Sequence, residues 1–368
     1  MKKKSSIYLV HLFNDYSGSP RVLCDAVDAL VDAGFDCNVL TSQHKGFLNN
    51  SKSKNICIPY LRSNSRWLIL FNFIFSQVYC FLVLAFLLIK ERLNGSRATV
   101  MVNTMLPFGA YMAAKVCRVQ CIAYIHETSV TPRGLKLFLR AVIKACVSDV
   151  IYVSEYLAKQ EPFGGLNSTV IYNGLRRDLS ASDAVNLQKK FDNKTLFFCG
   201  SPKSFKGIHQ FFMLARHLPE FNLVAALNCE VSELTPLSVD LPKNVTLFSR
   251  PSNLFDLYAG AFLVLNLSIP DECVETFGLS ILEGMALGCP AIAPPVGGPC
   301  EIVNENVGIL IDCRNIEAIA SFVIKLSSEY SLWAKYSEAA VLQASKFSAE
   351  QYSANIVAYF NSINNAKG

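Results

Sequence analysis

Short apolar runs of strand length alternate with amphipathic helical stretches along most of this chain. Ile7 to Phe13 is one such run, and it predicts a buried β-strand. A polar turn follows, Asn14-Asp15-Tyr16-Ser17-Gly18-Ser19-Pro20. Beyond it Val22, Leu23, Ala26, Val27, Leu30 and Val31 recur at helical spacing on one face. Gly34 stops that helix and Cys37 to Thr41 forms the next strand, a strand–helix–strand start that predicts a parallel sheet. Strand patterns return at 99–102, 121–125, 149–154 and 169–174. The polar stretch 175–194 reads as a linker. A second series of strands then runs through 195–199, 221–225, 245–248 and 262–266, and residues 349–363 look helical. The pattern predicts two α/β halves.

Two stretches add a surface to this picture. Residues 67–89 carry no charge over 23 positions and are flanked by Arg66 and Lys90, long enough to cross a bilayer. Asn72, Ser76 and Gln77 interrupt the run, and strands resume at once after it, so a crossover helix, buried or facing a membrane, is expected. Further on, Arg133, Lys136, Arg140 and Lys144 form a basic stripe on a helix whose other faces are apolar, a pattern suited to a membrane surface or to plain solvation. The N-terminal MKKKSSIYLVHLF has a basic start but an apolar run of only about seven residues, which fits a first strand better than a signal peptide.

Composition narrows the class. Of 368 residues 51% are hydrophobic and 17% charged, as in a globular chain, and the length allows two or three domains. The 13 cysteines show no C-x-x-C or zinc-like spacing and read as thiols of a reducing compartment. Residues 1–174 hold 19 Lys+Arg against 10 Asp+Glu, and residues 175–368 hold 15 against 19. A basic front half beside an acidic back half points to an anionic surface on the front side. No zinc finger, RNP-like strand or basic-aromatic array accompanies it, so nucleic acid is not the expected partner. The first turn lacks G-x-G-x-x-G, which removes the nicotinamide fingerprint.

The chemistry concentrates in 271–303, DECVETFGLSILEGMALGCPAIAPPVGGPCEIV. Glu275 and Glu283 stand eight positions apart around a Phe277-Gly278-Leu279 turn that opens a helix, and Gly288 and Pro290 end it. Backbone N–H groups at a helix start have no intrahelical partners and face negative charge favourably. A diphosphate at that start, with carboxylates on either side for hydroxyls, would hold a nucleotide sugar. No D-x-D, a common metal-diphosphate device, occurs in the chain.

This segment resembles the E-x7-E signature, E-x-F-G-L-x-x-x-E, of retaining GT-B glycosyltransferases of family 4 (glycosyl transferases group 1). The tail Val296-Gly297-Gly298 and Glu301-Ile302-Val303 fits the same family. The resemblance implies two Rossmann-like doubly wound domains facing each other across a cleft. Its expected boundaries are 1–174 for the acceptor and membrane side and 175–348 for the donor side, with a helix at 349–368 packing back on the first domain. It also implies roles. Glu275 holds hydroxyls of the donor sugar and Glu283 the ribose, while Phe277, Gly278 and Leu279 form the diphosphate-binding turn. The loop Gly200 to Gly207 matches the family's glycine, basic residue, Lys-Gly pattern, so Lys206 neutralises the diphosphate and Lys203 assists; Ser201 stands where the family has arginine. His126 matches the histidine beside the reacting centre, Gly18 the glycine-rich loop, and Ser249 to Leu254 the nucleobase region.

The expected activity is therefore retaining transfer of a sugar from a nucleotide sugar to a saccharide acceptor, lipid-linked, at the inner face of the cytoplasmic membrane. Neither a cofactor nor a metal is expected. The wording around His126 and VETFGLS is most like bacterial O-antigen, lipopolysaccharide and capsule enzymes. A sugar-nucleotide epimerase or phosphorylase of the same fold is the alternative, and a non-enzymatic membrane-anchored binding protein is another.

Overall fold

A computed structural model describes residues 5–61, 63, 65–179 and 186–365. The chain divides into two compact units, one of Met1–Tyr172 with Tyr352–Gly368 and one of Asn173–Gln351.

In the first unit seven parallel strands are β1 (Ser6–His11), β2 (Asp36–Ser42), β3 (Lys54–Ile58), β4 (Ala98–Asn103), β5 (Gln120–Ile125), β6 (Asp149–Tyr152) and β7 (Asn167–Val170). Their order is β3-β2-β1-β4-β5-β6-β7, so the winding reverses between β1 and β4. Such a reversal leaves a crevice at the carboxyl ends of the two strands, the usual ligand position of open α/β sheets. Sequence pattern missed β3, an edge strand whose residues are mostly exposed. The final helix, Ala349–Asn365, brings Tyr352 into the first unit, where its hydroxyl donates to the Val22 carbonyl at 3.1 Å.

The apolar stretch is a crossover helix, Arg66–Leu93, with a face arrangement opposite to the usual one. Ser76 and Gln77 point inward with Cys80, Leu84 and Leu88, while Trp67, Phe71, Phe75, Val78, Leu82, Phe86 and Leu93 are exposed. The polar residues that looked like interruptions are anchors. Gln77 Oε1 accepts the Gly109 N–H at 3.1 Å, and Asn72 Nδ2 donates to the Leu61 carbonyl at 2.9 Å. The basic stripe needs correction too. Lys136 and Arg140, on the Arg133–Cys146 helix, both ion-pair with the buried carboxylate of Glu161, and Arg140 stacks 4.5 Å over Phe163. Half of the stripe is thus engaged within the unit.

The second unit holds β8 (Thr195–Gly200), β9 (Asn222–Leu227), β10 (Val245–Ser249), β11 (Leu263–Leu265), β12 (Ala291–Ala293) and β13 (Gly308–Leu310), all parallel. Their order is β10-β9-β8-β11-β12-β13, with the reversal between β8 and β11. Its core gathers around Trp333, which stacks on Phe262 with centroids 5.5 Å apart and donates its indole N–H to the Phe262 carbonyl. The expected linker contains a helix, Leu187–Asn193, capped by Asn186. Polarity hid it because its buried residue is Lys190, whose ammonium satisfies the carbonyls of Tyr258 and Leu287. Residues 180–185 lie outside the described part.

Candidate functional site

The loop after β8 and the residue after β11 meet at the reversal point of the second sheet. Ser204–Lys206 forms one 3-10 turn, which Gly207 closes in the left-handed region. This turn directs Lys206 Nζ to within 2.9 Å of Glu275 Oε2. Asn266, one residue past β11, donates its Nδ2 to the same oxygen at 3.3 Å. Burial pushes the Glu275 carboxyl up, but the Lys206 ammonium and the Asn266 amide outweigh it and hold the carboxyl below its usual range. Lys206 in turn is held above the usual lysine value, its own burial being overcome by Glu275. Both side chains keep about a fifth to a quarter of their surface (25% and 21%), so the pair is charged, ordered and reachable. Sequence reasoning had the two as separate contacts; their pairing across 69 positions came only with the fold.

Glu275 is fixed through its backbone as well. Its carbonyl accepts the Gly298 N–H at 2.9 Å. Gly297 passes so close that a Cβ there would lie 2.2 Å from that carbonyl oxygen, and its φ is +89°. The Gly-Gly pair is thus the seat of the Glu275 loop. The turn that follows needs Gly278, at φ +111°, to start the Leu279–Ala286 helix. Phe277, a candidate donor contact, has its side chain buried against Phe347 with ring centroids 5.8 Å apart. What the Phe277-Gly278-Leu279 turn could offer an anion is therefore backbone, the first-turn N–H groups that a helix cannot satisfy itself.

Glu283 lies inside the unit more than expected. It keeps 6% of its surface, and its Oε2 accepts the Tyr258 hydroxyl at 3.2 Å. Tyr258 itself is buried against Phe197 and was missed in the sequence, where a tyrosine on a short amphipathic helix gives no sign of a carboxylate partner. Lys203 is exposed, with its ammonium 5.5 Å from the Phe205 ring centroid. Ser249 ends β10 and donates to the Cys229 carbonyl at 2.6 Å.

The remaining candidates belong to the first unit. Gly18 is the exposed first residue of the 15-residue helix Gly18–Asp32, directly after the turn that leaves β1. His126 follows the end of β5, its ring against that of Tyr124 at 4.3 Å between centroids. Burial of the ring and the neighbouring His11 push its pKa down to about 3, so the imidazole is neutral at physiological pH. His11, at the end of β1, is likewise held down to about 4 by burial, and its Nδ1 stands 3.0 Å from the Asn103 side-chain nitrogen. Neutral histidines at strand ends can exchange hydrogen bonds with hydroxyls without adding charge.

The family model described as "Glycosyl transferases group 1" matches residues 182–343. A probable sucrose-phosphate synthase 1 of Craterostigma plantagineum is 40% identical over 88 residues, which is 23% of this chain and 8% of that protein. The chain therefore matches only a small part of that relative's length. Among solved structures, Anabaena Alr3699/HepE in complex with UDP and glucose superposes with a TM-score of 0.78 at 17% identity, covering 97% of this chain and all of the other. The sucrose-phosphate synthase tll1590 of Thermosynechococcus elongatus gives a TM-score of 0.76 at 16% identity, covering 99% of this chain and all of that one. These likenesses identify the fold as the two-sheet GT-B arrangement. Within the second unit, residues 182–343 are thus similar to glycosyl transferases group 1.

Proposed function

We propose that the chain moves a sugar from a nucleotide sugar to a saccharide acceptor with retention of anomeric configuration. The observation that carries this reading is the Lys206–Glu275 pair at the sheet's reversal point, in the same domain as an open helix start. Departure of a nucleoside diphosphate builds negative charge on phosphate oxygens, and preorganised donors there lower the barrier. Lys206 and the N–H groups after Gly278 supply them. Glu275, an acceptor-only carboxylate when ionised, takes hydroxyl donors of the sugar. Transfer then proceeds on one face within an ion pair, the leaving phosphate accepting the acceptor's proton, and neutral His126 of the first unit is the residue we assign to hydrogen bonding in the reaction. With Lys206 in this role and no D-x-D in the chain, the transfer is metal-independent. A fold neighbour holding UDP and glucose supports a nucleotide-sugar donor.

For the acceptor the reading is a lipid-linked saccharide of bacterial surface polysaccharide, O-antigen, lipopolysaccharide or capsule, met at the inner face of the cytoplasmic membrane. The exposed apolar face of the Arg66–Leu93 helix, mean hydropathy 2.2 over its most apolar window, supports a membrane-peripheral enzyme. The sucrose-phosphate synthase relatives favour a second reading, a soluble sugar-phosphate acceptor. Assay of Glu275→Ala with a panel of UDP-, GDP- and dTDP-sugars tests the core of the proposal: transfer should vanish while circular dichroism holds, the thermal midpoint falling only by the loss of the Lys206 ion pair. Unchanged turnover would remove Glu275 from the mechanism. Offering lipid-linked saccharide and sugar phosphate as competing acceptors separates the two readings.

A further inference from the structure

We infer that Glu127 is a positioning residue, which fixes His126 by clamping together the turns that leave β4 and β5; the inference rests on the catalytic reading of His126. One carboxylate oxygen of Glu127 accepts the Met105 N–H at 2.6 Å and the other accepts the His126 N–H at 3.2 Å. One side chain thereby ties two neighbouring strand ends at the side of the sheet where β1 and β4 part.

The turn it holds is strained. Thr104, β-branched, has φ +76°, in the left-handed region that such residues rarely occupy. Its N–H donates to the Tyr124 carbonyl and its carbonyl accepts the Tyr111 hydroxyl, each at 2.8 Å. Glu127 takes the next N–H along, so this conformation is secured at three consecutive points. On its other side the His126 ring rests on Tyr124, whose hydroxyl lies 3.4 Å from that of Tyr352. Backbone tether and ring buttress together leave the imidazole little freedom. Freedom lost before binding is barrier lowered afterwards, since a misplacement of about 1 Å can cost roughly a hundredfold in rate.

Ionisation governs the clamp. Burial raises the Glu127 carboxyl to about 7, against the lowering effect of the Met105 and His126 N–H bonds, and Glu161 adds to the rise. The charged and titratable groups around it are Glu161, on which Lys136 and Arg140 are held, the Tyr111 hydroxyl, and the imidazoles of His126 and His11. Ionised, Glu127 accepts both N–H groups; protonated, one oxygen becomes a hydroxyl and competes as a donor.

Steady-state kinetics of Glu127→Gln, His126→Ala and the double variant test this. The amide of Gln has one acceptor oxygen for two N–H groups. We expect kcat in Glu127→Gln to fall by about tenfold to a hundredfold, with the donor KM within twofold of wild type. On the His126→Ala background the same change should have no further effect. An unchanged kcat in Glu127→Gln, or full additivity of the two losses, overturns the clamp. Full activity of His126→Ala would instead remove the catalytic reading and the clamp with it, and only that outcome touches both. Should Glu127→Gln fail to fold, the wild type still decides. Its Met105 and His126 amide protons should both be protected from hydrogen exchange, and exchange of either at the rate of an open amide refutes the clamp.

Discussion

The ammonium of Lys206 and the carboxylate of Glu275 hold each other at 2.9 Å, so each is charged and fixed in place. The pKa directions give the working range. Glu275 is depressed below 4.5, so its contribution is full above that value and lost as pH falls through the lower folded value. Lys206 is raised above 10.5, so its contribution is full below that value and lost only at higher pH. Titration calorimetry with UDP should therefore give an affinity that this pair leaves flat from pH 6 to 9. Lys206→Met should weaken UDP by about tenfold or more, roughly 1.4 kcal/mol or above. A wild-type affinity that halves and halves again between pH 7.5 and 9, above the titration of the terminal phosphate itself at about 6, would mean another group binds the phosphates.

At the scale of elements, the Arg66–Leu93 helix has one face that anchors it and another that is exposed, the face proposed to meet a membrane. Its exposed Phe71, Phe75, Leu82 and Phe86 make few demands on the fold, whereas Gln77 holds the Gly109 N–H inside the unit. Replacing all four exposed residues with Gln should leave the thermal midpoint nearly unchanged, each within about 0.5 kcal/mol, and abolish co-sedimentation with anionic vesicles. Gln77→Leu should do the reverse, costing about 1–3 kcal/mol for an orphaned N–H while vesicle binding persists. Vesicle binding unaffected by the fourfold change would free this face from the membrane role. The helix also shows where pattern reading stops. Its length and hydropathy were plain in the sequence, but periodicity cannot tell which face meets the sheet when polar anchors replace apolar ones. The same limit hid the Leu187–Asn193 helix, whose buried residue is a lysine capping two carbonyls.

For the whole molecule, the two tryptophans report on different units. Trp333 is fully buried in the second unit and Trp67 is 82% exposed in the first. Tryptophan-selective fluorescence of Trp67→Phe thus follows the second unit, the proposed donor side. A nucleotide that binds there should raise its transition by mass action, about 2.7 kcal/mol at a hundredfold excess over Kd. A nucleotide that binds but leaves the Trp333 transition unmoved would overturn the assignment of the nucleotide to the second unit.

The chain by itself determined a great deal. Strand-length apolar runs specify two parallel α/β sheets, because a crossover helix between parallel strands leaves its period in the sequence. The Phe277-Gly278-Leu279 turn that opens a helix was legible locally, whereas Gly297 and the Lys206-Gly207 step stood out only through the family resemblance, because the backbones they pass, at Glu275 and Leu267, lie far along the chain. Tertiary structure alone decided which groups meet. Lys206 reaches Glu275 across 69 positions, Asn266 joins them, Glu283 turns inward to Tyr258, and Glu127 ties two strand ends together. Those partnerships depend on strand order and on the few ångströms over which charge and hydrogen bonding act, and neither distance nor strand order is written along the chain.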